Sequence, residues 1–447
     1  MLVRGQRQVG KSFIIEAFAK ENYPRPVKID FRLDVDARKL FSGNLDVDSI
    51  IRGLEILRPE AVFEPGSTLI IFDEIQDCPF AYSSLKYFAL DGRYDVIASG
   101  SLLGVTLNRI RGREEDPEDV GPSVPVGYTE HMTMYSLDFE EFLWAKGVKE
   151  EHIEGLRECI RNRTPVPDAV HSAFRSYFRE YMVVGGMPEA VQDYVDTKRI
   201  GGVVRIQDRI LEDAIADINR YNTPINAIKT AECFRSIPGQ LAESNKKYMY
   251  SRVDGGGSRN SAQRYSENLL WIKDAGYGTF CYKVSSVESP LSAREESDQF
   301  KVYFSDTGLL VGMYGPAVRK AVAMGDSDVN FGAITENIIA ECMVKCGIRP
   351  RYYNKNKGGN RMELDFVVEI GDDLSVVEVK SGKSREAPSL SKVPSVFKVD
   401  RRMMFEETNI RITDDGVEHY PLYAAAFMDS MGRTQDIDGL FWTDAVL

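Results

Sequence analysis

The stretch Gly5-Gln6-Arg7-Gln8-Val9-Gly10-Lys11-Ser12 restricts what this chain can fold into more than any other. It matches G-x-x-x-x-G-K-[ST], in which glycines let the backbone curl so that successive N–H groups point at phosphate oxygens. The spacing predicts a phosphate cradle made of Gly5, Gln6, Arg7, Gln8, Val9, Gly10, Lys11 and Ser12. Lys11 would meet the β- and γ-phosphates and the Ser12 hydroxyl a Mg²⁺ ion, so ATP and Mg²⁺ are the expected cofactors. Phe13 to Lys20 reads as a helix whose partly positive N-terminus faces the same phosphates. Only Met1 to Arg4 precede the first glycine, whereas such a loop normally follows a full buried strand. The supporting strand is therefore expected to be nearly missing, through an upstream start or the loss of the segment that packs near the adenine.

A loop of this kind belongs to a parallel α/β sheet with crossover helices, and ligands bind at the carboxyl ends of the strands. The run from Ser67 to Glu74 is apolar and ends in two acids, as a buried parallel strand with carboxylates at its tip would. Asp73 is the candidate to hold Mg²⁺ through water or Ser12, and Glu74 to polarise the attacking water. A third apolar run, Tyr94 to Ala98, ends in Ser99-Gly100-Ser101, which could sense a γ-phosphate or simply make a turn. Arg109, Arg111 and Arg113 are candidates to reach a nucleotide, against the plainer reading of a solvated basic loop. Ser83 to Leu90 reads as one of the crossover helices.

At 447 residues the chain has room for two or three domains. No apolar run approaches the roughly 18 residues of a membrane span, and Arg4 and Arg7 interrupt any signal-peptide core, so no membrane partner and a cytoplasmic location are expected. The net charge of −12 argues against a protein that coats nucleic acid nonspecifically. Six cysteines without C-x-x-C spacing and four scattered histidines suggest neither a zinc site nor a disulfide framework.

From Ser136 to Tyr221 the pattern is helix-rich, broken at Gly185-Gly186-Met187-Pro188, and shows no catalytic constellation. Residues 227–284 carry nine Lys/Arg against five Asp/Glu, a basic island in an acidic chain. Ile228 to Glu243, Gln263 to Ala275 and Tyr277 to Val284 suggest helices followed by a hairpin, the order of a winged helix. Arg259, Arg264 and Lys273 would then approach a DNA groove, although many winged helices contact only protein.

Further on, Gly332 to Cys346 has helical periodicity and stops at Gly347, with Glu336 in its first turn. Strands follow over Arg349 to Lys355, Glu363 to Ile370 and Leu374 to Lys380, the last two joined by a Gly371-Asp372-Asp373 turn. Alternation places Leu364, Phe366, Val368 and Ile370 on one face and Asp365 on the other, while Glu378 and Lys380 project together. Asp365 and Glu378 could hold Mg²⁺, with Glu336 reaching the same ion and Lys380 orienting or deprotonating the water. The plainer reading is a set of solvated strand residues. No acid lies between Glu341 and Glu363, where Lys345, Arg349, Arg351, Lys355, Lys357 and Arg361 interleave with Tyr352 and Tyr353. That strip could bind phosphates or merely protect a strand edge.

Taken in order, these stretches resemble a known family. They are the P-loop, Ile-Ile-Phe-Asp-Glu-Ile-Gln (70–76), Ser-Gly-Ser (99–101), Tyr-Ser-Leu-Asp-Phe-Glu-Glu-Phe-Leu (135–143), Val-Gly-Gly-Met-Pro-Glu (184–189), Ser-Asp-Thr-Gly-Leu (305–309), Glu-Leu-Asp-Phe-Val and Val-Glu-Val-Lys-Ser-Gly. The family is that of prokaryotic AAA-superfamily ATPases with a C-terminal restriction-endonuclease-like, PD-(D/E)XK-type domain of unknown function. The resemblance implies a P-loop domain over 1–135, a helical connector over 136–225, a winged-helix-like domain over 226–290 and an α+β restriction-endonuclease-like domain over 291–447. It also implies a nuclease-like site on Glu336, Asp365, Glu378 and Lys380. The expected function is a nucleotide-driven switch acting on DNA or a protein partner. The alternatives are a non-hydrolysing docking module and a Mg²⁺-dependent DNA nuclease.

Overall fold

The computed structural model describes residues 1–101, 122–253, 261–325, 331–355, 362–381 and 388–432. Arg109, Arg111, Arg113, Arg259, Lys357 and Arg361 lie outside them. The chain forms two compact units, residues 1–136 with 270–277, and 137–269 with 278–447.

The first unit contains β1 (Leu2–Arg4), α1 (Lys11–Asn22), β2 (Arg25–Asp30), α2 (Val35–Leu40), α3 (Val47–Leu57), β3 (Thr68–Asp73), α4 (Pro79–Asp91), β4 (Asp95–Gly100) and β5 (His131–Thr133). Its five strands lie in the order β2-β3-β4-β1-β5, every pair parallel. All six residues of β3 are buried. Ile70 and Phe72 join one core with Ile29, Phe31, Phe41 and Phe88, and Leu69 and Ile71 join another with Val3, Ile15 and Ala19. A strand covered on both faces has no use for polar alternation, which is why its sequence reads as a continuous apolar run.

The short β1 is central rather than marginal. Leu2 lies opposite Ala98 of β4 on one side and His131 of β5 on the other, so three residues have ladder partners along both edges. Because every strand runs the same way, the segments that leave β1, β3 and β4 emerge at one end of the sheet. The P-loop, Asp73 and Ser99 all stand there.

The second unit begins with helices α5 (Phe139–Ala145), α6 (Glu150–Asn162), α7 (Asp168–Val184), α8 (Pro188–Thr197), α9 (Ile200–Tyr221) and α10 (Pro224–Leu241). Next comes α11 (Ser261–Asp274), whose residues from Leu270 group with the first unit. Then come β6 (Gly278–Val284), β7 (Glu295–Phe304), α12 (Thr307–Tyr314), α13 (Pro316–Met324), α14 (Phe331–Lys345), β8 (Arg351–Lys355), β9 (Met362–Ile370), β10 (Asp373–Val379), α15 (Pro388–Lys392), β11 (Arg401–Glu406), β12 (Arg411–Ile412) and β13 (Glu418–Pro421). The strands make one mixed sheet in the order β12-β13-β11-β10-β9-β8-β6-β7.

Strand β6, expected as the hairpin of a winged helix, instead pairs antiparallel with β7 and parallel with β8. The sheet therefore starts inside the stretch 226–290. Strands β9 and β10 are also more covered than a one-sided meander: Val367 and Val376 are as buried as Leu364 and Phe366. Helix α14 ends as expected, with Gly347 at φ 75° and the Ile348 N–H donating to Met343 O at 2.8 Å.

Three of the motif stretches serve to lock this unit. The Asp306 carboxylate accepts from the N–H of Gly186 at 2.8 Å and of Leu309 at 3.0 Å, and Leu137 N–H donates to Gly186 O at 2.7 Å. A Cβ on Gly185 would stand 2.3 Å from Asp306 Oδ1, and one on Gly186 would stand 2.0 Å from Leu137 O, so only glycine fits either place. Among the described residues no helix is long and apolar enough to cross a membrane.

Candidate nucleotide site and a second charged cluster

The cradle begins where β1 stops. Gly5 takes φ 153°, and a Cβ there would meet Met134 O at 2.1 Å, so the chain passes close against the segment after β5 only because the residue is glycine. Gln8 and Gly10 are left-handed, at φ 63° and 93°, and turn the backbone into α1. Val9 is fully buried beneath the loop. Lys11 opens the helix and folds back: its Nζ donates to Gly5 O at 3.0 Å and to Gln6 O at 2.7 Å. Burial pushes its ammonium down to about 8, against the pull of Glu74 and Asp73.

Ser12, the next residue, donates through Oγ to Asp73 Oδ1 at 3.0 Å, and Ser99 donates to the same oxygen. Asp73 Oδ2 takes the Lys28 ammonium at 2.6 Å. Burial favours a neutral acid here, but Lys28 and the two serines outweigh it and hold Asp73 below the usual carboxylate range. Glu74 leaves the strand in a left-handed turn at φ 53°, its N–H donating to Asp73 Oδ1 at 3.2 Å and its carboxylate accepting from Gln76. Arg7 Nε donates to Ser101 Oγ at 3.3 Å, so the Ser99-Gly100-Ser101 segment touches the loop itself. Gly5 to Ser12, Asp73 and Glu74 thus stand together at one end of the sheet. The hydroxyl and carboxylate oxygens of Ser12 and Asp73 are the hard donor set that Mg²⁺ takes, completed by water and phosphate. The residues present fit the ion and the nucleotide.

The C-terminal candidates meet in the second unit. By the register of β9 with β10, Asp365 falls beside Glu378, and Asp365 Oδ2 accepts from the Val379 N–H at 2.9 Å. Lys380 Nζ lies 2.8 Å from Glu378 Oε1, while Glu378 Oε2 is buried with no hydrogen-bond partner. Glu336, on α14, turns to cations: it pairs with Lys246, lies 3.4 Å from Lys301 and accepts from Tyr303 OH at 3.0 Å. Burial would raise Glu336, but Lys301 and Lys246 hold it below its ordinary value. Asp365 goes the other way: burial, with Glu336 and Glu378, pushes it up to about 8. Burial also raises Glu378 over the pull of Lys380. Among the described residues no three of His, Cys, Asp and Glu are placed to hold a metal ion as a group.

The basic strip is largely spoken for. The Lys345 side chain is 6% exposed and bonded to Glu341 at 2.7 Å, Tyr181 OH and Leu137 O, while Arg349 and Arg351 pair with Glu295 at 2.7 and 2.6 Å. Tyr352 and Tyr353 are buried, and Lys355 is exposed. On α11, Arg264 and Lys273 are exposed.

Sequence reasoning passed over β2 and with it Lys28. The available signal was the lysine between two apolar residues, Val27-Lys28-Ile29, in a strand that also carries Arg25 and Asp30. It also passed over Lys246, Lys301, Tyr303 and Glu295, whose distance along the chain from Glu336 and Arg351 hides the pairing.

Residues 1–143 match the AAA domain family, residues 175–317 a domain of unknown function (DUF8612) and residues 331–424 another domain of unknown function (DUF4143). Among solved structures the chain is similar to the Walker-type ATPase PABY2304 of Pyrococcus abyssi, at 15% identity, covering 70% of this chain and 90% of that one, with a TM-score of 0.43. No curated protein matches the chain. The N-terminal block is thus a P-loop domain of AAA type, as its loop and parallel sheet indicate. The C-terminal mixed sheet is compatible with the restriction-endonuclease-like arrangement that the resemblance implies.

Proposed function

We propose that the chain is an ATP-binding, Mg²⁺-dependent ATPase whose nucleotide state switches its contacts with DNA or a protein partner through the C-terminal unit. The carrying observation is Lys11, whose ammonium is held by loop carbonyls at 2.7 and 3.0 Å beside the Ser12–Asp73 contact. A buried lysine whose hydrogen bonds go to neutral carbonyls gains strongly from phosphate oxygens, so Lys11 exchanges the Gly5 and Gln6 carbonyls for the β- and γ-phosphates. Bound Mg²⁺ supplies charge neutralisation on the phosphates, held from Ser12 and Asp73. Glu74 orients and polarises the attacking water, and Ser99 keeps Asp73 in place. The cytoplasm is the proposed location.

The test is ATP binding and hydrolysis by purified wild type and Lys11→Ala, with and without duplex DNA. Turnover that disappears in Lys11→Ala and rises with DNA supports a DNA-coupled switch. Unchanged turnover in Lys11→Ala refutes the assignment of the site.

A second reading, a docking module, is favoured by the lysines and the tyrosine that satisfy Glu336 without a metal. A third, a Mg²⁺-dependent nuclease, is supported by Asp365, Glu378 and Lys380 side by side on adjoining strands. Loss of Mg²⁺-dependent DNA cleavage in Asp365→Ala and Lys380→Ala would separate it from the docking module.

A further inference from the structure

Lys28 is a cation that the proposed ATPase chemistry leaves unused. It stands on β2 opposite Ile71, with its ammonium 2.6 Å from Asp73 Oδ2 and 2.8 Å from Glu16 Oε1. Glu16 lies on α1, one turn beyond Ser12, and Ser12 holds the other Asp73 oxygen at 3.0 Å. The carboxylate expected to support Mg²⁺ therefore already carries a resident positive charge. Its side chain is 5% exposed, so an ammonium and a divalent ion sharing it would repel across a poorly screened distance. Lys28 is 33% exposed, and it lines an open cleft of about 640 Å³ with Asp30, Asp34 and Arg58. It has somewhere to go.

We propose that Lys28 is an internal cation that occupies Asp73 until metal and triphosphate arrive together. Metal alone binds poorly, because it must displace an ion pair. The triphosphate adds negative charge that offsets the displacement, and Lys28 withdraws towards Glu16 and the cleft. Lys28 is a positioning residue in this scheme: it sets the coupling between the two ligands, which by linkage acts equally on both. The inference rests on the reading that Gly5 to Ser12 binds ATP.

The experiment measures Mn²⁺, as a paramagnetic stand-in for Mg²⁺, binding to the full chain by electron paramagnetic resonance, with and without a non-hydrolysable ATP analogue. Wild type, Lys28→Met and Lys28→Arg are compared. Without nucleotide, Lys28→Met should bind Mn²⁺ roughly tenfold more tightly, the scale on which one close charge acts, and the gain from nucleotide should shrink by the same factor. Lys28→Arg keeps the charge and should stay near wild type. Lys28→Gln, which also removes the charge, carries the same test if Lys28→Met does not fold. An unchanged nucleotide gain in the neutral variants, or an equal shift in Lys28→Arg, overturns the proposal while leaving the ATP reading standing. If wild type binds neither analogue nor Mn²⁺ with it, the ATP reading itself falls and the inference with it.

Discussion

Lys28 in the first unit and Lys301 in the second are both lysines held by carboxylates, yet one side chain is 33% exposed and the other 1%. That difference decides what each cluster can do. Lys28 itself reaches water, but Asp73 is 5% exposed, so Lys28 can leave only where another cation takes its place on that carboxylate. Lys301 has no such exit: it lies between Glu336 and the field of Asp365, with the Tyr352 ring 5.0 Å from its ammonium. Taking it away leaves the buried Glu336 with Lys246 and the Tyr303 hydroxyl but short of one charge beside Asp365, which costs more than the pair itself contributes. The first cluster suits exchange and the second permanence, although both place acids beside lysines.

The sharpest attempt to break this contrast is Lys301→Met. It should destabilise the folded chain by about 3–5 kcal/mol, read from urea unfolding. A loss below about 1 kcal/mol, the scale of an exposed pair, would mean that burial does not fix Lys301 in place. Next in size is Lys11→Ala, expected to reduce ATP turnover about 10²–10³-fold, as the loss of one well-placed donor to transition-state charge does, with the unfolding midpoint little changed.

A third measurement uses pH. Asp365 is pushed up to about 8 by burial with Glu336 and Glu378, against about 4 for an exposed aspartate. The folded chain then keeps a proton that the unfolded chain has released, so stability falls as pH rises from about 4 to about 8. Urea unfolding should show wild type losing ground to Asp365→Asn across that window and holding level above it. Parallel curves would mean that Asp365 titrates as an ordinary surface carboxylate. The smallest effect is in the first cluster. Lys11, lowered to about 8 by burial, must be charged to hold phosphates, so calorimetric ATP affinity should weaken progressively as pH rises above about 8. An affinity flat to pH 10 would remove the charge on Lys11 from the account.

The candidate nucleotide site was far more legible than the C-terminal cluster. Gly5 to Ser12, Asp73, Glu74 and Ser99 announce themselves through short-range patterns: a glycine-spaced loop, an apolar run with acids at its tip and a strand ending in small polar residues. Strand β2 escaped notice because Arg25-Pro26-Val27-Lys28-Ile29-Asp30 mixes charge and proline with only two apolar positions, and with it went Lys28. In the second unit Asp365, Glu378 and Lys380 were readable from alternation along β9 and β10. The ionic state of that group was not, because Lys246 and Lys301 come from positions 90 and 35 residues away from Glu336. The basic strip shows the same limit: its charges were counted correctly, but Glu295 cancels Arg349 and Arg351 from 54 and 56 residues away.

By itself, the sequence determined the glycine-spaced loop, the apolar strands, the helix stop at Gly347 and the neighbouring places of Asp365 and Glu378. All of these follow from backbone sterics and side-chain period over a few residues. Tertiary structure alone decided that β6 joins the large sheet, that Asp306 fastens Gly186 and that Lys28 pairs with Asp73. It also decided that Glu336 spends its charge on lysines. Burial sets the strength of every such charge, and burial is a property of the whole chain folded on itself, which no local stretch encodes.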